Sequence, residues 1–244
     1  AKYLSSVGVQ LLCLGRKELS PQQVIDNFGD DSFYLPLQMR DISLLPREAE
    51  ALGWESSSNT VFYIFGWIGQ KKLTDGKFCD QLNNAVFASD AVKVAKEMGC
   101  TKFINSGSME ETFLEKFLES DRIQPYESQQ TFYGLAKLAC RDICKMISYL
   151  ELIDYVHTRM SVPLSLRHYK SAYIPMTIKK ILKGESYDQP KSNLLYDLVM
   201  IDDVARAYYL IGLLGKNKAD YFIGRGKPAL LREHFHDFAL LMNG

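Results

Sequence analysis

No run of apolar residues in this chain is long enough to cross a bilayer, which argues against a membrane-spanning helix. Neither sign of charge is in excess: 29 Lys and Arg balance 29 Asp and Glu among 244 residues. A neutral chain generates no bulk field for nucleic acid or an anionic membrane, so neither is expected as a partner. Cysteine is scarce and forms no CxxC. Cys13, Cys79, Cys100, Cys140 and Cys144 are odd in number and mostly sit in apolar segments. They read as reduced core thiols of a cytoplasmic protein, not as a disulfide framework or a zinc site. Of the four histidines, His234 and His236 stand two apart on a predicted helix, a spacing that does not suit a shared metal. His157 lies in an apolar strand and reads as a satisfied core residue. No metal is expected. A secretory leader pattern, internal repeats and low-complexity segments are missing as well. What remains is an ordinary globular composition, 47% hydrophobic and 24% charged, enough for one large domain or a domain with a lobe.

Apolar runs alternate with helical patterns. Strands are predicted at residues 9–15, within 33–42, at 59–67, 101–108 and 152–161. Helices are predicted at 20–29, 80–98, 129–149 and 171–185, and residues 196–214 read as a strand leading into a helix. Ser20 serves as a cap with Pro21 at the first helical position, and Gly99 closes the helix over 80–98. The apolar runs are continuous, not alternating, as strands buried on both faces require. The fold class is therefore α/β, a doubly wound parallel sheet with a smaller C-terminal lobe. Residues 1–161 form the sheet domain and 162–244 the lobe, partly interleaved with it. Ligands of such sheets sit beyond the carboxyl ends of the strands. Residues 105–108, "NSGS", and Gly66-Trp67 fall at such ends.

The stretch "TFYGLAKLAC" places Tyr133 four residues before Lys137, on one helical face. An ammonium near a phenol favours the phenolate, so Lys137 is expected to lower the Tyr133 pKa and fit it for proton exchange with a substrate hydroxyl. The same spacing also fits an aromatic core residue beside a solvated lysine.

Four segments in order settle the choice: "INSGS", "YGLAK", "YDLVMIDDVARA" and "YFIGRGKPALLRE". This succession resembles the extended short-chain dehydrogenases, the NAD(P)-dependent epimerase/dehydratase family acting on nucleotide sugars, and is closest to members of surface-polysaccharide pathways. The resemblance implies a Rossmann-like fold and a catalytic set of Ser108, Tyr133 and Lys137. Lys137 is implied to bind the nicotinamide ribose, and Ser108 to hydrogen-bond the reacting sugar oxygen. Ser106 is a nearby hydroxyl with a lesser claim to the cofactor site. Asn84, Asp41 and Ile42 match family contacts on the central helix and the adenine side, and Phe65 and Gly66 follow the fourth strand. "SGSMEE" also reads as a helix cap at Ser108, with Glu110 and Glu111 in the first turn.

The chain departs from the family in several places. The glycine-rich GxxGxxG loop is absent, and "AKYLSSVG" resembles the end of the helix that follows it, so the chain is expected to start after the first strand and loop. Where an acid would receive a ribose 2′-hydroxyl, the sequence has Gly15-Arg16-Lys17. Arg16 suits a 2′-phosphate, which favours NADP over NAD. Trp67 replaces a small residue and either narrows the site or packs in the core. Met109 stands where the family's dehydratases carry an acid, which disfavours dehydration. Tyr196 replaces an arginine that meets the nucleotide diphosphate. Arg167, His168 and Lys170 either supply other positive charge or form a solvated loop. The expectation is a cytoplasmic nucleotide-sugar epimerase or 4-keto reductase, with a non-catalytic dinucleotide-binding protein of the same fold as the alternative.

A homodimer is expected as well, paired through apolar residues on two helices: Leu82, Val86, Phe87, Val92 and Val94, with Leu135, Leu138, Ile143, Met146 and Ile147. Solution scattering at micromolar concentration should report the mass of two chains, and the mass of one chain excludes the pairing.

Overall fold

Ser20 and Pro21 begin a helix as their chemistry dictates. The Ser20 hydroxyl accepts from the Gln23 N–H and the Gln23 side chain returns a bond to the Ser20 backbone, a reciprocal cap. The computed structural model that shows this describes residues 1–68, 77–120, 131–165, 173–191, 193 and 195–243. Arg167, His168 and Lys170 lie outside the described residues.

The chain runs through α1 (Lys2–Ser6), β1 (Leu11–Gly15), α2 (Pro21–Phe28), β2 (Ser32–Pro36) and a 3-10 segment (Met39–Leu44) that passes into α3 (Leu45–Ala51). It continues through β3 (Val61–Ile64), α4 (Phe78–Glu97), β4 (Lys102–Ser108), α5 (Met109–Glu119), α6 (Thr131–Leu150) and β5 (Asp154–Met160). After these come β6 (Val162–Leu164), α7 (Tyr173–Leu182), β7 (Leu195–Tyr196), β8 (Leu198–Met200), α8 (Ile201–Leu214), β9 (Asp220–Ile223), β10 (Ala229–Leu230) and α9 (Leu231–Asn243). Gly99 adopts φ +74° just past α4, the left-handed conformation that a helix-closing glycine takes without a Cβ penalty.

The polypeptide divides into two compact units. One comprises Ala1–Arg159 with Ala205–Tyr221, the other Met160–Val204 with Phe222–Gly244. In the first, β1 pairs with β2 and β3 with β4, both in parallel, and β3-β4-β5-β9 is the order of the larger sheet. Parallel strands alternating with helices give the Rossmann-like α/β architecture expected. The core lies between this sheet and α4 with α6. Ala85, Ala88, Ala91 and Ala95 of α4 and Cys140 and Cys144 of α6 belong to this core, and the two helices pack against each other. Three thiols, Cys100, Cys140 and Cys144, are buried, whereas Cys79 is exposed.

One expectation needs correction. Strands β1 and β3 read as fully buried, yet all of β1 and three of the four residues of β3 are only partly so. The reason is a cavity of about 1100 Å³ between them, lined by Leu11–Gly15 on one side and Val61–Ile64 on the other. Among the described residues no ladder joins the two strands. On the helices assigned to a dimer, Val86, Ile143 and Met146 are exposed, and Val92 and Val94 belong to the protein's own core, the face that packs inward.

In the second unit, β6 pairs with β8 in parallel and β7 with β10 antiparallel. Leu164, Ile178, Ile181, Leu198, Leu231 and Phe235 form its core. The Asp197 carboxylate accepts the Arg225 and Gly226 N–H groups at 3.2 and 3.0 Å and so pins the turn after β9.

Candidate active site

Strand β4 carries "KFINSGS" and ends where polar residues replace apolar ones, at the carboxyl edge of the sheet. Ser108 is both the last residue of β4 and the cap of α5. Its Oγ accepts the Glu110 N–H at 3.3 Å, and its own N–H donates to Glu111 Oε1 at 2.8 Å. The capping reading of Ser108 is thus correct. It does not exhaust the hydroxyl, which is also hydrogen-bonded to the Tyr133 phenol on α6. One turn further along α6, Lys137 Nζ donates to the Ser106 carbonyl at 2.7 Å. The three residues of the expected catalytic set therefore meet at one end of one strand.

Trp67 completes the cluster. Its indole N–H donates to Gln81 Oε1 at 2.7 Å, which holds the ring in place. The Lys137 ammonium sits 4.0 Å from the indole centre, and Tyr133 meets the same ring edge-on at 5.6 Å. Trp67 also packs against the protein's own core.

The electrostatics differ from expectation. Burial pushes the Tyr133 phenol up to about 12, against the pull of its bond to Ser108, and the nearby Glu111 and Glu110 charges add to the rise. The Lys137 ammonium lies 5.8 Å from the Tyr133 ring centre, turned toward the Ser106 carbonyl and the indole. Its own pKa is lowered, chiefly by burial. Among the described residues no carboxylate pairs with it. The spacing of Tyr133 and Lys137 predicted nearness correctly, but desolvation dominates the titration of both.

The residues assigned to the cofactor fall into three groups. Arg16, Ile42, Phe65 and Gly66 line the cavity between β1 and β3, together with Gly15 and Trp67. Asn84 is a brace: its Oδ1 accepts the Ile68 N–H at 2.6 Å and its Nδ2 donates to the Ile68 carbonyl at 2.8 Å, fixing the segment after β3. Asp41 lies outside the cavity lining, with a partly exposed carboxylate 3.5 Å from Arg40 Nε. Ser106 Oγ accepts from the Tyr208 hydroxyl at 2.9 Å, which in turn lies 2.8 Å from Thr158 Oγ1.

Behind the cluster stands a pair that motif reading passed over as a cap and a core histidine. Glu111 Oε2 and His157 Nε2 are 2.7 Å apart, and both side chains are almost wholly buried. The available signal was a charged or titratable group within each of two otherwise buried segments, which needs a partner somewhere in the fold.

The sequence profile of the NAD dependent epimerase/dehydratase family matches residues 57–224. No curated protein sequence matches the chain. Among solved structures, a UDP-glucose 4-epimerase of Thermotoga maritima, solved with UDP-glucose, superposes with a TM-score of 0.72 at 15% identity, over 99% of this chain and 77% of that one. A UDP-N-acetylglucosamine 4-epimerase of Bacillus cereus gives 0.73 at 13%, over 99% and 76%. The Bordetella bronchiseptica enzyme WbmH, solved with NAD+, gives 0.69 at 17%, over 99% and 76%. At such identities the superpositions establish the fold. The profile spans most of the chain and takes in β4, Tyr133 and Lys137, and on that ground the chain belongs to the NAD dependent epimerase/dehydratase family.

Proposed function

We propose that the protein interconverts nucleotide sugars by transient oxidation at a sugar carbon, with a nicotinamide dinucleotide as the redox partner. The observation that carries this reading is the meeting of Ser108, Tyr133 and Lys137 at the carboxyl end of β4. The donor set suits a nicotinamide ribose and a carbinol. Lysine has three N–H donors, and Ser106 takes one while the indole covers another side, which leaves donor capacity for a ribose hydroxyl. Nicotinamide, when bound, supplies the hydride acceptor and donor. Ser108 orients the sugar oxygen and stabilises charge that develops on it. Tyr133, once ionised, takes the hydroxyl proton at its phenolate oxygen as the carbonyl forms, and the phenol returns it when the carbinol is rebuilt. Asn84 and Trp67 hold the walls of the site.

Epimerisation is the reading we favour over 4-keto reduction, because the neighbours in fold include UDP-sugar 4-epimerases. A place in surface-polysaccharide synthesis accords with the sequence resemblance. The test is incubation of the protein with UDP-glucose or UDP-N-acetylglucosamine and NAD+ or NADP+, followed by product analysis. Appearance of the 4-epimer supports the reading. Stoichiometric oxidation of NADPH by a 4-keto sugar replaces it with reduction, and cofactor binding without turnover of any UDP-hexose ends it.

The preference for NADP rests on Arg16, exposed at the end of β1 and on the cavity wall. The Bordetella neighbour was solved with NAD+, so the two cofactors should be compared directly. Arg16→Ala should weaken NADP(H) binding about tenfold to a hundredfold, the loss of a charge-assisted bond to phosphate, with little change for NAD(H). Equal weakening of both by titration calorimetry removes the preference.

A further inference from the structure

Glu111 is an unusual cap. It occupies the first turn of α5 with no exposed surface, and its two oxygens serve different masters. Oε1 accepts the Ser108 N–H at 2.8 Å, and Oε2 meets His157 Nε2 at 2.7 Å. A carboxylate used only as a cap does its work at the surface, where water satisfies it. Buried, it costs several kcal/mol unless paired. The backbone is cut to fit this pair. A Cβ on Gly107 would stand 2.4 Å from both Glu111 Oε1 and His157 Nε2, so only glycine lets them lie against β4. Gly107 separates Ser106, whose carbonyl takes Lys137, from Ser108, which bonds Tyr133.

The titratable and charged groups around Glu111 come from three elements. Strand β5 presents Tyr155, His157 and Arg159, whose Nε is 3.9 Å from Oε2. Helix α6 presents Tyr133, Lys137 and Cys140, and α5 itself carries Glu110. His157 Nδ1 lies 3.3 Å from the Tyr155 oxygen, so the imidazole bridges a phenol and a carboxylate. Lys137 and Arg159 lie close by, and a carboxylate at Glu111 accepts from His157 when the imidazole carries its proton on Nε2.

We propose that Glu111, clamped by His157, is a positioning residue of this active site: it fixes Ser108 through the backbone N–H and sets the field at the Tyr133 phenol. Burial does most to hold the phenol protonated, the negative charge of Glu111 adds to it until substrate and cofactor are in place, and the same charge supports that on Lys137. The turnover arm of the test rests on the reading given under Proposed function, whereas the titration arms do not.

Glu111→Gln keeps an oxygen for the Ser108 N–H and nearly the same volume while removing the charge. In unaltered protein, nitrogen NMR should show the His157 proton on Nε2, facing Glu111. In Glu111→Gln the proton should move to Nδ1, because an amide N–H₂ now faces Nε2. Carbon NMR of the tyrosine ring, assigned through Tyr133→Phe, should show the Tyr133 midpoint falling by about one pH unit, a tenfold change. The acid limb of the kcat profile should shift the same way with KM little altered. An unshifted Tyr133 titration in Glu111→Gln reduces Glu111 to a helix cap and overturns the proposal. So does a His157 whose proton sits on Nδ1 in unaltered protein, a result available even if the variant does not fold. Loss of turnover with both NMR results as expected leaves Glu111 in place and counts against the assigned reaction instead.

Discussion

Tyr133→Phe should lower turnover about a hundredfold to ten-thousandfold, the loss that follows removal of a general acid–base group. The fold should scarcely notice. The phenyl ring keeps its edge-on contact with Trp67 at 5.6 Å, and the one bond lost, to Ser108, contributes about 1 kcal/mol. Cofactor binding should also persist, since Lys137 is untouched. The pH dependence of stability adds a signature. A phenol held near 12 in the folded protein and near 10 in the unfolded chain contributes stability that is fully present below pH 10 and lost as pH rises toward 12. Melting curves should therefore show part of the alkaline loss missing from the variant. Rapid-quench turnover on the nucleotide sugar identified by the test above decides the matter, and turnover near that of unaltered protein refutes the assigned role.

Lys137→Met should move activity and stability in different directions. The ammonium is buried, and no carboxylate pairs with it among the described residues. Its desolvation costs the fold several kcal/mol. Against this stand the bond to the Ser106 carbonyl and the contact with the indole face, each about 1–3 kcal/mol. Methionine retains the apolar stem and packs on aromatic rings. The opposing effects nearly cancel, so thermal stability should change little or rise. Turnover should fall at least about a hundredfold, because the donor proposed to hold the ribose is gone and a displacement of the reacting group by about 1 Å costs that much. A variant that melts far below unaltered protein shows that the ammonium is a structural element, and one that keeps its turnover shows that Lys137 does not orient the cofactor.

How far the sequence could be read depended on the range of the interaction. The Ser20 cap and the Gly99 stop are decided within a few residues, and both formed as predicted. Ser108, Tyr133 and Lys137 were legible because their order and spacing survive in the sequence while the fold supplies the encounter. The direction of the Tyr133 shift was not, since spacing reports nearness and says nothing of water exclusion. The Glu111–His157 pair was hidden for another reason. The two residues are 46 apart, and each had a sufficient local explanation of its own. Apolar content likewise misled for β1 and β3, because burial of a strand depends on what lies beside it.

Gly107 bears on how the sequence can vary. A Cβ there would collide with Glu111 Oε1 and His157 Nε2, and both side chains are buried and cannot swing into solvent. Positions 107, 111 and 157 are therefore tied: a larger residue at 107 is tolerated only where its two neighbours have become smaller, so the three change together or not at all.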